Sequence, residues 1–195
     1  MAISTSKAGR IAIIGASGYG GLQLVKLINE HPNFEISTLN GERSVGKSWN
    51  EINPFMKILV CISHVPDTTS KINFVDDDRA FDKNGVQFII NPNDEFGLTR
   101  AVWFQQKEQA EITVITIGEA SCEPTLRKCL AIGANRAFRI NLNPTDGFQV
   151  AQQLSAHCKE ENYDLIIAGR ESIDYNGAMV PGMLSAQMGY NFVTN

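Results

Sequence analysis

Apolar residues along this chain cluster in short continuous runs, and each run gives way to a glycine- or proline-marked turn and then to a helical repeat. The runs at 57–63 (KILVCIS), 111–117 (EITVITI), 137–142 (AFRINL) and 163–168 (YDLIIA) predict strands covered on both faces. Helical spacing is found at about 93–108, 122–133, 146–160 and 178–188. Alternation of the two periods predicts an α/β fold, an open parallel sheet with crossover helices. A long excursion, residues 64–91, precedes the first of these helices, and its GVQFIIN stretch predicts an extra hairpin strand over the sheet. Loops of that length in compact domains are usually functional or partly structured.

The same pattern also occurs earlier in the chain. Residues 10–15 read as a buried parallel strand, followed by Gly15, Gly18 and Gly21 at G-x-x-G-x-x-G spacing. Leu22, Leu24, Val25, Leu27 and Ile28 then supply a helical apolar face that ends near His31-Pro32, and FEISTL at 34–39 completes a β-α-β unit. Glycines in such a turn let a pyrophosphate approach free N–H groups at a helix start. The chain thus opens twice, at RIAIIGASGYGG and again at MKILVCIS from Met56. Only 55 residues precede Met56, room for one β-α-β unit but not for a nucleotide-binding domain of ~100–150 residues. Two parts follow, a partial NAD(P)-binding unit at 1–55 and a larger domain at 56–195. A lone β-α-β unit buries too little apolar surface to stand alone, so its strands are expected to join an edge of the larger sheet or stay mobile. The connection at 48–55 (SWNEINPF) is the expected first site of proteolysis. An exposed edge on the larger sheet is expected to favour pairing with another chain.

Composition excludes several classes. A net charge of −4 and a pI near 5.4 leave no footprint for nucleic acid or an anionic membrane. No apolar stretch approaches the ~20 residues of a membrane span, and residues 1–9 lack the apolar segment of a secretory signal. Cys61, Cys122, Cys129 and Cys158 show no C-x-x-C spacing and the three histidines are scattered, so a zinc site is not expected. Reduced thiols in a cytoplasmic compartment are expected instead.

Two segments bear on chemistry. Asn91-Pro92-Asn93-Asp94-Glu95 opens a helix and reads either as plain capping or as a nucleotide-contacting loop, since open α/β sheets bind ligands where helices start at strand carboxyl ends. Residues 169–183 run from a buried strand into a Gly/Pro-marked helix start, which reads either as a phosphate site or as an ordinary connection whose glycines serve turns. Asp164 and Asp174 do not pattern as an acid/base pair, and no Ser-His-Asp or Cys-His arrangement is present.

The opening resembles N-acetyl-gamma-glutamyl-phosphate reductase over about residues 9–55, on GASGYGG at 15–21, HP at 31–32 and ERSVGK at 42–47. The resemblance implies an NADP site at Gly15, Ser17, Gly18, Tyr19, Gly20 and Gly21, with Arg43, Ser44 and Lys47 near the 2′-phosphate. The family's nucleophilic cysteine, in a context like N-P-G-C, has no counterpart here, so no reductase turnover is expected.

Residues 56–195 resemble the first part of the beta subunit of an electron-transfer flavoprotein of the bacterial kind. The resemblance is carried by MKILVCISHVPDTTSKI (56–72), GVQFIINPNDEFGLTRA (85–101), EPTLRKCLAIGA (123–134) and YDLIIAGRESIDYNGAMVPGMLSAQMGYNF (163–192). It implies an adenine-nucleotide hydrolase-like, Rossmann-related α/β fold, bound AMP, and an alpha subunit carrying most of the FAD site. It also implies electron relay from acyl-CoA or related dehydrogenases toward the respiratory chain, with no catalytic residues of the subunit's own. On this resemblance Cys61 falls where the first strand meets the adenine, Asn91, Pro92, Asn93 and Asp94 match the loop opening the first helix, and Ile117 ends the second strand. The phosphate-receiving loop matches Asp174, Tyr175, Asn176, Gly177, Ala178 and Met179, and continues into the helix start at Val180, Pro181, Gly182, Met183, Leu184 and Ser185. Amides around 176–183 are expected to gather near Cys61 and Asn91 as a cradle for the adenylate. The family's later strand and C-terminal arm are expected to lie beyond Asn195. Two alternatives stand beside the electron-transfer subunit: an NADP-binding fragment of the reductase, and a non-functional fusion of two truncated genes joined at Phe55/Met56.

Overall fold

The computed structural model describes residues 9–14, 27, 34–40 and 56–194. The chain divides into two compact units, Met1–Phe55 and Met56–Asn195.

In the smaller unit, β1 (Gly9–Ile14) and β2 (Phe34–Asn40) pair in parallel as a two-stranded sheet of their own. Register runs Ile11↔Ile36 and then Ala12↔Thr38, so Ser37 is the extra residue of a bulge. Leu27 is helical, as its place in the apolar repeat predicts, but 67% exposed. Gly15, Ser17, Gly18, Tyr19, Gly20, Gly21, Arg43, Ser44, Lys47 and the connection at 48–55 lie outside the described residues.

The larger unit is built on a four-stranded, all-parallel sheet. Its strands are β3 (Lys57–Cys61), β8 (Glu111–Ile117), β9 (Arg136–Ile140) and β10 (Leu165–Ile167), in the order β10-β3-β8-β9. Four helices follow the strands: α1 (Pro92–Glu108), α2 (Glu123–Ile132), α3 (Gly147–Glu160) and α4 (Val180–Met188). Alternate residues of β3 enter opposite cores. Ile58, Val60 and Ile62 pack with Leu98 and Ala101 of α1 and Leu126 and Cys129 of α2. Leu59 and Cys61 pack with Leu154 and Cys158 of α3 and Leu184 of α4. The result is three layers, with one helix pair on each face of the sheet.

Local chemistry sets where the elements start and stop. Proline stands in the first turn of α1, α2 and α4, where its missing N–H costs nothing. The Asp146 carboxylate caps α3 by accepting the Gln149 N–H. Gly133 (φ 144) and Gly189 (φ 65) end α2 and α4.

Three boundaries differ from the hydropathy pattern. The first predicted strand, 57–63, ends at Cys61; Ile62 still donates to the Ile115 carbonyl at 2.8 Å, but the Ser63 N–H turns to the Asp94 carboxylate at 2.8 Å. The predicted helix at 178–188 begins at Val180, because Asn176 (φ 49) and Ala178 (φ 50) are left-handed. The hairpin strand predicted over the sheet exists as β7 (Phe88–Ile90), but it pairs antiparallel with β4 (His64–Pro66) in a separate ladder. Within the same excursion, β5 (Phe74–Val75) and β6 (Ala80–Phe81) form a second small hairpin.

Candidate functional site

The chain runs from β3 outward to β8 and β9 and then returns to the other side of β3 for β10. Connections therefore leave β3 and β10 in opposite directions, which opens a crevice at their carboxyl ends, the place where open α/β sheets take ligands. Three segments meet there: the residues after β3, the first turn of α1, and the connection from β10 to α4.

The first turn of α1 joins the other two. Asp94 is 4% exposed; its Oδ1 accepts the Gly169 N–H at 2.8 Å and its Oδ2 accepts the Ser63 N–H at 2.8 Å. Burial pushes this carboxyl above the usual aspartate range, against the lowering effect of hydrogen bonds from Ser63, Asn91 and Gly169. Asn91 is fully buried, donating through Nδ2 to the Glu171 carbonyl (2.9 Å) and accepting at Oδ1 from the Ile173 N–H (3.2 Å). Asn93 donates to the same Glu171 carbonyl at 2.9 Å. Gly169 is required for this approach: a Cβ there would sit 2.8 Å from Asn93 Cβ and 2.9 Å from the Asn93 carbonyl carbon.

Beyond Ile173 the connection turns back on itself, with the Asn176 N–H donating to the Ser172 carbonyl at 2.8 Å. Ala178 (φ 50) is followed by Met179 (φ −107, ψ −26). A left-handed residue followed by a right-handed one turns successive N–H groups toward the same side, the geometry of an anion nest. The N–H groups of Gly177, Ala178, Met179, Val180 and Gly182 meet no acceptor among the described residues. Those at 176 and 183 do, the latter donating to the Met179 carbonyl at 3.0 Å. Tyr175 stands 86% exposed at the loop's tip. A cavity of about 340 Å³ lies against the loop, lined by Arg170, Ala178, Pro181 and Phe192 among others. The positive end of the α4 dipole favours an anion beside these amides, while the Arg170 guanidinium is paired with the Glu171 carboxylate. A phosphate-sized anion fits this donor set.

Other expected site residues have different surroundings. Cys61 lies in the second core, where burial first, then Cys158 and Asp94, push its thiol far above the ordinary cysteine range. Leu184 is buried in the same core and Ile117 packs against it. Pro92 is the first residue of α1. The Ser185 hydroxyl donates to the Tyr190 carbonyl at 2.8 Å, while Asp174 faces outward and adds negative potential near His64. His64 stacks on Phe88 at 4.5 Å and shares a 2.8 Å hydrogen bond with the Thr125 hydroxyl; burial, then Lys83, hold its pKa below the usual value. Among the described residues no group of carboxylates, thiols and imidazoles is arranged for a metal ion. No helix among them is long and apolar enough to cross a membrane.

Comparison with known proteins accounts for both parts of the chain. The profile of the electron transfer flavoprotein domain matches residues 78–195, and that of the semialdehyde dehydrogenase NAD binding domain matches residues 10–120. The chain belongs to both families. Their matches overlap at 78–120, which holds β6, β7, α1 and β8 of the larger unit. Over 59 residues the chain is 95% identical to an N-acetyl-gamma-glutamyl-phosphate reductase of Prochlorococcus marinus, covering 30% of this chain and 16% of that protein. It is 32% identical over 142 residues to the electron transfer flavoprotein subunit beta of Thermoanaerobacterium thermosaccharolyticum, covering 71% of this chain and 54% of that subunit. The human electron transfer flavoprotein subunit beta is 29% identical over 144 residues, covering 69% of this chain and 56% of that subunit. The chain thus spans about half the length of these flavoprotein relatives and about a sixth of the reductase.

The electron transfer flavoprotein domain match contains Asn91 to Asp94, Ile117 and the loop at 174–185, while Cys61 precedes it. Gly169, Glu171 and Ile173 lie in the 169–183 stretch read from the sequence either as a phosphate site or as an ordinary connection, but their backbone bonds to Asn91, Asn93 and Asp94 were not foreseen; an isolated glycine directly after a strand is a usable signal of such close backbone approach.

Proposed function

We propose that residues 56–195 act as an electron-transfer flavoprotein beta-type subunit that binds AMP at the β3/β10 crevice. The phosphate rests on the amides of residues 177–180 and 182, at the positive end of the α4 dipole. That run of N–H groups without acceptors, beside a helix start at the switch point, is the observation that supports this reading. Asn91, Asn93 and Asp94 shape the crevice, and Cys61 packs beneath it. The chain's own groups offer no electron carrier, since its four cysteines are unpaired and buried. FAD, shared with an alpha subunit that holds most of it, supplies the redox chemistry, with acyl-CoA or related dehydrogenases as electron donors. Free thiols agree with a cytoplasmic setting. Calorimetric titration of the purified chain with AMP tests the nucleotide site: saturable one-to-one binding is expected, and none by a folded protein overturns it. Elution of a yellow flavin-bearing partner during gentle purification tests the subunit pairing.

A second reading applies to the smaller unit and is favoured by the 95% identity to the reductase over 59 residues. On this reading NADP binds the glycine turn at 15–21 with Arg43, Ser44 and Lys47, without turnover. Fluorescence titration with NADPH, alongside an acyl-phosphate reductase assay, separates binding from activity.

A further inference from the structure

The α1 first turn reads in sequence as either a cap or a nucleotide contact, and its hydrogen bonds suggest a different role. Both carboxylate oxygens of Asp94 and both ends of the Asn91 amide are engaged by backbone groups of Ser63, Gly169, Glu171 and Ile173. No buried polar side-chain atom is left without a partner among the described residues. The four bonds tie the end of β3 to the connection after β10, partners up to 82 residues apart in the chain. Order passes onward through the Ser172 carbonyl, which holds the Asn176 N–H at the start of the amide run.

We propose that Asn91 and Asp94 are positioning residues, a clamp that holds residues 169–173 against the sheet so that the amides at 177–182 are aligned before an adenylate arrives. As a property of the adenylate site, this clamp has a function only if those amides receive a phosphate, as read above. Alignment in advance spares the binding step the cost of ordering a loop.

Asp94→Asn in the full chain tests it. One amide N–H would then face a backbone N–H, so one of the two bonds to Ser63 and Gly169 is lost. Without AMP, hydrogen-exchange protection of the Ser63 or Gly169 amide is expected to fall at least tenfold, and calorimetric AMP affinity about tenfold. Protonating Asp94 in the wild type removes the same acceptor. The affinity ratio of wild type to variant is therefore expected to narrow toward one as pH falls below about 7 and Asp94, its carboxyl raised by burial above the usual aspartate range, takes up its proton; protonation of the phosphate affects both and cancels. The titratable groups around Asp94 are the Cys61 and Cys129 thiols, neutral throughout this range, with Glu95 next to it on α1; Arg170 and Glu171 of the loop pair with each other. Thr99→Ala, which removes a hydrogen bond to the Glu95 carbonyl on the exposed face of α1, is expected to change affinity by no more than about twofold. If Asp94→Asn does not fold, Asn91→Asp replaces it, keeping the acceptor for Ile173 and losing the donor to Glu171, with the same expected loss.

Unchanged AMP affinity despite lost protection overturns the clamp, as does an affinity ratio that does not narrow as Asp94 is protonated or an equal loss in Thr99→Ala. A folded wild type that does not bind AMP overturns the adenylate reading and this role with it. That result is distinct from failure of the clamp alone, in which wild type and variant bind equally.

Discussion

At the scale of single residues, close approach and burial dominate. Gly169 has no room for a side chain against Asn93 and Asp94. Gly169→Ala is therefore expected to cost ~1–3 kcal/mol of stability, read as a lower urea midpoint with an unchanged slope. The buried thiols give a second test. Burial pushes Cys129 up to about 12 and Cys158 up to about 11, and Cys61 higher still. Only the thiolate reacts, so these three are expected to resist iodoacetamide at pH 8 in the native protein and to react in urea, which mass spectrometry would count. Rapid native alkylation of Cys61 would place it outside the core. What sequence reasoning could see of these residues was their type and neighbours. It could not see that Asp94 meets Gly169, because 75 residues separate them and no local pattern records that pairing.

At the scale of elements, periodicity located the four α-helices of the larger unit and every strand of the main sheet to within two residues at either end, because a strand between two helix layers needs a continuous apolar run. Short excursion strands were less legible: β4, β5 and β6 hold two or three residues each, too few to show a period. Helix α3 shows how caps set element stability. Asp146 accepts the Gln149 N–H while the Gln149 side chain accepts the Thr145 N–H at 2.8 Å, a reciprocal cap. Asp146→Ala is expected to lower stability by about 1 kcal/mol in urea unfolding. In the last turn of α3, His157 shares a 2.9 Å hydrogen bond with the Tyr163 hydroxyl, and burial holds its pKa below the usual value against the pull of Glu161 and Glu160. The unfolded chain then binds more protons than the native one as pH falls past the ordinary histidine value of about 6.5, so stability is lost on acidification. His64 shifts in the same direction. Urea midpoints are expected to fall between about pH 7.5 and 5.5, and His157→Gln to flatten part of that fall; an unchanged pH slope in the variant would remove His157 as a cause.

At the scale of the whole molecule, the division at Phe55/Met56 separates a unit with one described two-stranded sheet from one with a three-layer core. The larger unit holds 140 of the 195 residues, and the fraction of surface a domain buries rises with its size, so brief proteolysis is expected to leave a fragment close to residues 56–195, identified by its mass. Equal survival of both parts would contradict that. The amino-acid sequence by itself determined the α/β class, the order of strands and helices, and the two openings, because these follow from short-range periodicity and glycine spacing. Tertiary structure alone decided that β10 lies beside β3, that Asn91 and Asp94 bind backbone and not solvent, and that Cys61 is a core residue. Each of these depends on which distant segments share a hydrogen-bond ladder or a packed face, and long-range pairing is set by burial of the whole sheet and not by any local run of residues.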